Sequence, residues 1–174
     1  MAFIKDRRLA QDHWKLLDRV EPGDDGVLRQ MPAGDLIVPL ATWKNARDQL
    51  VARGGRLGVW LSADEEPADI AGDLQHLDVV AVRFASFTDG RGYSIGRLLR
   101  QRYGWRGELR AIGDVQRDQI FYLARCGFDA FLLREGEDPA IALTAFSDFS
   151  DGYQASAERP VPLFRRREPV SSGT

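Results

Sequence analysis

The residues best suited to chemistry lie in two short tracts, Asp89-Gly-Arg-Gly-Tyr-Ser94 and Gly113-Asp-Val-Gln-Arg-Asp-Gln119. In the first, two glycines flank Arg91 just after an apolar run, and a helical pattern begins at once. Glycine frees backbone amides, a helix N-terminus carries partial positive charge, and a guanidinium can hold two oxygens. Together they suit an oxyanion such as phosphate, sulfite or a carboxylate. The same residues also make an ordinary tight strand-to-helix turn, with Asp89 or Ser94 capping the helix. The spacing fits neither the dinucleotide fingerprint GxGxxG nor the phosphate loop GxxxxGKS. In the second tract Asp114 stands where an N-cap belongs. Asp118 and Gln119, one turn further on, can pair with Arg91 or orient a ligand, or form a solvated pair favoured by the helix dipole. The candidate ligand- or partner-binding set is therefore Asp89, Gly90, Arg91, Gly92, Ser94, Gly113, Asp118 and Gln119. No catalytic residue and no cofactor is assigned.

Other reactive side chains carry weaker signals. Arg83, Arg110 and Arg134 fall within or just beyond apolar runs. Arginine in a buried strand needs a partner, so they are expected either to ion-pair with Asp89, Glu108 or Asp129, or to line an anion site. Cys126 sits at the end of a helical pattern, where the helix dipole raises a thiol pKa; a packed thiol is expected rather than a nucleophile. His13 and His76 have no metal-like spacing, and no metal site is expected. Trp43, Trp60, Trp105, Tyr93, Tyr103 and Tyr122 are expected to cover a sheet.

The elements that must position these groups follow from periodicity. LIVPL, RLGVWLS, VVAVRF, ELRAIG and FDAFLL read as five strands. Between them TWKNARDQLVARGG, ADEEPADIAGDLQHL, the stretch after Gly92 and VQRDQIFYLARCG read as helices. The first of these should bury Trp43, Ala46, Leu50 and Val51. The helix after Gly92 should bury Ile95, Leu98, Leu99 and the stem of Arg102, with Arg97 and Arg100 turned away or toward a neighbouring loop. Gly127 suits a left-handed helix end, and Asp138-Pro139 opens a last helix. Residues 1–33 suggest short strands or a hairpin. The fold class is α/β: a single domain over 1–157 with a mainly parallel five-stranded sheet flanked by helices and a short N-terminal strand or hairpin. An open three-layer sheet suits the length; the alternative is a partial (β/α) barrel. In either, the two chemical tracts follow parallel strands and open at one sheet edge. Residues 158–174, with prolines and a basic run, read as a mobile C-terminal tail.

The chain has 174 residues, 44% of them hydrophobic, enough for one core. A formal net charge of -2 gives no field that would draw it to nucleic acid or anionic lipid. One cysteine excludes an internal disulfide and fits a reducing compartment. No apolar run approaches the roughly 20 residues of a membrane span, and the N-terminus lacks the order of a signal peptide. A cytoplasmic protein is expected, with a homo-oligomer compatible.

FASFTDGRGYSIGRLLRQRYGWRGELRAIGDVQRDQIFYLARCGFDAF, with its DGRGYS tract, GELRAIGDV strand and turn, DQ pair and CGFDAF run in order, resembles a bacterial family of uncharacterised proteins associated with sulfite reduction, the domain of unknown function 934. The resemblance implies a place in assimilatory sulfite reduction. It implies an accessory protein that binds a partner, sulfite reductase or another sulfur-assimilation protein, or a small oxyanion at the Asp89–Ser94 edge. The alternative it implies is an oxidoreductase or other enzyme of sulfur assimilation using a dissociable cofactor. In that case Asp118 would serve as acid or base, and Arg91 would hold the oxyanion.

Overall fold

The computed structural model describes residues 1–18 and 31–148, together with Arg165. The expected tail, 158–174, lies outside the described residues apart from Arg165. Three short strands come first: β1 (Phe3–Lys5), β2 (Arg8–Ala10) and β3 (Lys15–Leu16). The expected five follow as β4 (Leu36–Pro39), β5 (Leu57–Ser62), β6 (Val79–Phe84), β7 (Glu108–Gly113) and β8 (Ala130–Leu132). Helix α1 (Leu40–Ala52) joins β4 to β5, α2 (Arg91–Gln101) joins β6 to β7, and α3 (Arg117–Cys126) joins β7 to β8. Helix α4 (Pro139–Thr144) follows β8, with Asp138 as its N-cap accepting from the amides of Ala140 and Ile141.

All eight strands form one sheet, in the order β2-β1-β8-β7-β6-β5-β4-β3. It therefore has eight strands where five were expected. Strands of two or three residues are too short for alternation to show, and their pairing is set by residues far along the chain. Strands β3 to β8 pair in parallel, and β1 is antiparallel to both β2 and β8. Because the parallel strands neighbour one another in chain order, crossovers of one hand bring every helix to the same face. The cores agree. Leu50, Ile95, Leu99, Ile120 and Leu123 from the helices share a cluster with Val59, Val80, Val82, Leu109 and Phe131 from the strands. The other face carries a separate cluster of Ile37, Trp60, Val79, Ala81 and Ile112, covered by Trp14 and Leu132. This excludes the three-layer arrangement and gives the alternative, a curled partial barrel.

The curl follows from chain length. Strands β2 and β3 are the two edges of the sheet, yet only Gln11–Trp14 joins them. Seven strand spacings of about 4.8 Å would separate the edges of a flat sheet by about 34 Å. The steps from Ala10 to Lys15 reach at most about 18 Å fully extended. The sheet must bend, and the short segment crosses its concave face as a strap.

The strap is fastened by charge and aromatic contact. Arg110, on the concave face of β7 and 2% exposed, donates from Nη1 to Asp12 of the strap (2.8 Å) and from Nε to Glu108 (2.7 Å). Lys5 Nζ donates to the other Glu108 oxygen (2.6 Å), and the Arg110 guanidinium stands 4.3 Å from the Phe3 ring centroid. Two cations and two anions thus cancel inside the curl. Arg110 Nη2 lies 2.7 Å from the same Glu108 oxygen but makes no hydrogen bond. Further along, Trp60 Nε1 donates to the Leu17 carbonyl (2.9 Å), and Arg56 lies 5.0 Å from the Trp14 ring.

Several local expectations are corrected. The acidic stretch after β5 forms two 3-10 turns, Pro67–Ile70 and Leu74–His76, in place of a helix. With only Pro67 and Ile70 buried in the two turns and Gly72 between, it has too little apolar face to hold a full helix. Leu98 and Val51 are exposed rather than buried, and Tyr122 points outward rather than covering the sheet. Gly127 does end α3 in the left-handed region, at φ 105°. Among the described residues no helix is long and apolar enough to cross a membrane.

Arg110→Ala would leave Glu108 and Asp12 facing each other inside the curl, and should lower stability by about 3–5 kcal/mol. Asp12→Ala, which removes the more solvated partner, should cost about 1–3 kcal/mol. Urea unfolding followed by tryptophan fluorescence measures both; a loss below about 1 kcal/mol for Arg110→Ala would show that the cluster does not hold the strap.

Candidate functional site at the C-terminal edge

The parallel strands end at a common edge, where Phe84 of β6 is the register partner of Gly113 of β7. Both chemical tracts leave from there. Asp89 and Arg91 pair with each other: Asp89 Oδ1 accepts from Arg91 N (3.2 Å) and Nε (3.0 Å), and Oδ2 accepts from Nη2 (2.8 Å). The guanidinium is fixed and already matched by a carboxylate, yet its side chain is 63% exposed. Gly90 precedes α2 as its N-cap and offers no side chain, while Asp89, one residue earlier, accepts from the first amide of the helix, and Ser94 lies within the helix. Ser94 is solvent-exposed. Gly92 is a packing residue: a Cβ there would come within 2.7 Å of the Phe84 ring. Gly113 adopts φ +94°, and a methyl group on it would run into the Phe84 carbonyl oxygen, so this turn admits only glycine.

The second tract is built differently from expectation. Gln116, not Asp114, is the N-cap of α3. Gln116 and Gln119 form a reciprocal capping box in which Gln119 Oε1 accepts from Gln116 N (2.9 Å) and the Gln116 side chain accepts from the Gln119 amide. Gln119 is therefore a buried structural residue. Its Nε2 makes no hydrogen bond, and burial pushes the Tyr93 hydroxyl pKa up. Asp118 points into solvent beside Arg117 (3.4 Å). Asp118 and Gln119 make no contact with Arg91, and the eight expected residues do not converge on one point.

What joins the tracts is a residue left out of the set. Asp114 Oδ2 accepts from the Phe87 amide (3.0 Å), while Oδ1 accepts from Gln116 Nε2 (3.1 Å) and Arg134 Nη1 (3.3 Å). Arg134 also donates to Glu137 (3.0 Å), and Glu137 accepts from the Arg117 amide (3.2 Å). This network fixes the loop that presents Phe87, 45% exposed, in the segment that leads into Arg91. Tyr93 packs edge-on against Phe84 (5.3 Å) and at a tilt against Tyr122 (5.1 Å), and Tyr122 is 56% exposed. The Gln-x-x-Gln spacing was the available signal for the capping box; nothing in the sequence marked Phe87.

The remaining arginines find other partners. Arg83 donates to Asp18 (3.3 Å) and lies 5.0 Å from the Trp60 ring, and Asp129 pairs with Arg100 (2.6 Å). An anion site lined by Arg83, Arg110 and Arg134 is therefore not formed. Cys126 is buried, and burial pushes its thiol pKa up. Among the described residues no group of three His, Cys, Asp or Glu is placed to hold a metal ion.

Electrostatics at this edge have a clear sign. The Gln116 side chain first, then the Phe87 amide and Arg134, hold the Asp114 carboxyl below its ordinary range, and Arg91 does the same to Asp89. A depressed carboxylate contributes stability above its unfolded pKa and loses it as pH falls through the folded value. Asp114→Asn should therefore lower the urea midpoint at pH 7, and the difference from the unmutated chain should shrink below about pH 4. A difference that stays constant with pH would rule out this role. Gly113→Ala should destabilise by about 2 kcal/mol or more at any pH, because strain and overlap with backbone do not titrate; thermal unfolding reads it.

No curated protein matches the chain. Residues 58–164 match the family described as Bacterial protein of unknown function (DUF934). The match runs from β5 through β8 and takes in both loops of this edge. More than half of the chain carries it, and the protein belongs to that bacterial family.

Proposed function

We propose that the protein is an accessory component of assimilatory sulfite reduction that docks on a partner reductase through the edge formed by Phe87, Arg91 and Tyr122. The pathway comes from the family resemblance in the DGRGYS, GELRAIGDV and CGFDAF tracts. The observation that carries docking is the chemistry of the exposed edge: an arginine held in place by Asp89, with two large aromatic rings outside the core. Arginine and aromatic residues dominate the energetics of protein interfaces, and a side chain already ordered loses little entropy on binding. Capture of a small oxyanion is less well supported, since Asp89 already neutralises Arg91 and takes its Nε–Nη2 edge, and the Gly92 and Gly113 turns are packed against Phe84. Acid–base catalysis by Asp118 is also poorly supported, because its carboxylate stands in open water beside Arg117, outside any enclosed site.

Growth of a deletion strain on sulfate, sulfite, sulfide or cysteine as the only sulfur source tests the pathway. Failure on sulfate and sulfite with rescue by sulfide is expected; normal growth on all four would remove the pathway reading. For the surface, the double variant Phe87→Ala, Arg91→Glu should stay folded, with a melting temperature lowered by the lost Asp89–Arg91 pair, and bind sulfite reductase from the same host at least about tenfold more weakly by calorimetry. Unchanged affinity would place the interface elsewhere.

A further inference from the structure

The outer face of α2 carries positive charge that the fold does not use. Between Gly90 and Gly107 the chain has five arginines and no aspartate, glutamate or lysine. Helical spacing sets Ile95, Gly96 and Leu99 against the core and leaves Arg91, Ser94, Arg97, Leu98 and Gln101 exposed on the other side. Arg102, the C-cap, and Arg106, in the loop beyond, are exposed as well and continue the face past the helix end. From Arg91 to Arg102 the ridge runs about 16 Å.

Two of the five arginines are answered within the fold, Arg91 by Asp89 and Arg100 by Asp129. The other three are not. Arg97 donates to the neutral Gln101 (3.0 Å), the Arg102 guanidinium stands 5.7 Å from the Tyr103 ring centroid, and among the described residues neither they nor Arg106 has an ion pair with a carboxylate. Elsewhere exposed arginines do find one: Arg47 pairs with Asp73, Arg56 with Asp35 and Arg134 with Asp114. The turn Pro67–Ile70 packs beside α2, yet Asp69 is held by Lys44 (2.9 Å) and Asp73 by Arg47 (2.7 Å), both on α1. The helix dipole favours a cation in the last turn, and Arg100 already supplies it. Burial lowers the Arg100 pKa, and the charge of Arg106 lowers it further. Carboxylates brought from outside would relieve that repulsion.

The chemistry of the ridge selects the kind of partner. All its cations are arginine, whose planar fork matches a carboxylate with two parallel hydrogen bonds. Leu98, 36% exposed, stands between Arg97 and Arg102 and offers an apolar contact in the middle of the charges. A net charge of -2 gives the whole chain no field for a polyanion such as nucleic acid, so attraction is confined to the ridge itself. We propose that the outer face of α2 binds an acidic segment of a protein partner, its carboxylates on Arg97, Arg102 and Arg106 and an apolar side chain on Leu98. The inference rests on the docking reading for one point, that the ridge begins at Arg91 and so extends the same surface.

Fluorescence anisotropy on the full chain tests it with a labelled peptide of about ten residues in which glutamate alternates with serine and leucine, long enough to follow the ridge. The controls are the same peptide with lysine for glutamate and an oligothymidylate of equal negative charge. Binding of the glutamate peptide is expected, weakening as salt rises from about 0.05 to 0.3 M, with both controls weaker by about tenfold or more. The triple variant Arg97→Gln, Arg102→Gln, Arg106→Gln should stay folded and lose peptide affinity by about tenfold or more. Absence of peptide binding, equal or tighter binding of the oligothymidylate, or full affinity in the triple variant would each overturn the proposal. Sulfite reductase titrated with the same proteins separates this inference from the docking reading. Peptide binding without reductase binding would remove the reductase as partner and leave the ridge in place. Reductase binding that the Phe87→Ala, Arg91→Glu variant weakens and the triple variant leaves unchanged would overturn the ridge alone.

Discussion

A connection of four residues between the two edges of an eight-stranded sheet is the constraint on which the rest of this structure depends. Gln11–Trp14 is too short to pass around a flat sheet, so the sheet curls, and the segment runs through the space the curl encloses. That space is too narrow for a second layer of helices. Its lining is instead a thin apolar cluster, the neutral set Lys5, Glu108, Arg110 and Asp12, and Arg83 over Trp60 with Asp18. The helices then lie on the convex face, where the large core forms.

With the concave face occupied by the chain itself, ligands and partners are left the two rims and the outer faces of the helices. The rims are built to different ends. At the N-terminal rim Arg100 donates to the carbonyls of Gly127 (2.9 Å), Trp105 (2.9 Å) and Gly107 (2.8 Å) and to Asp129, tying the turns that precede β7 and β8. Arg100 is nearly enclosed, and its donors are used within the fold. Arg91, at the C-terminal rim, has one partner two residues away and presents most of its surface to solvent. The same residue type thus serves as a clamp in one place and as an offered group in the other, and burial decides which.

The parts of this fold visible in the sequence are those governed by local rules. Continuous apolar runs marked β4 to β8, Asp138-Pro139 marked the start of α4, and Gly127 marked the end of α3, because each depends on residues a few positions apart. The meeting of the two tracts at one edge followed from parallel topology alone. Hidden were the features that depend on distant partners. Asp12 means nothing until Arg110, 98 positions away, faces it. Asp114 looks like a cap until Gln116 takes that place and frees Asp114 to hold Phe87. A site inferred from tract composition therefore contained the turn-forming glycines and the capping glutamine, whose work is structural, and missed the exposed aromatic residues beside them.

The buried charges also oppose one another in a way that bears on why they persist. Burial raises the Asp129 pKa and lowers that of Arg100, so for each partner desolvation outweighs the attraction of the other. A carboxylate raised on folding contributes less stability as pH climbs through its shifted value, the reverse of Asp114 and Asp89. Such pairs add little net stability and penalise alternatives strongly. Arg110 shows the penalty most directly. In register, β7 places it on the concave face between Glu108 and Asp12, while Leu109 and Ala111 face the helices. A slip of one residue would exchange the two faces and drive the guanidinium among Val80, Leu99 and Phe131, with no acceptor to meet it. Apolar residues on both faces of β7 would tolerate that slip. One charge on the concave side forbids it, and because β7 pairs with both β6 and β8, the register of the strands that carry both rims is fixed with it.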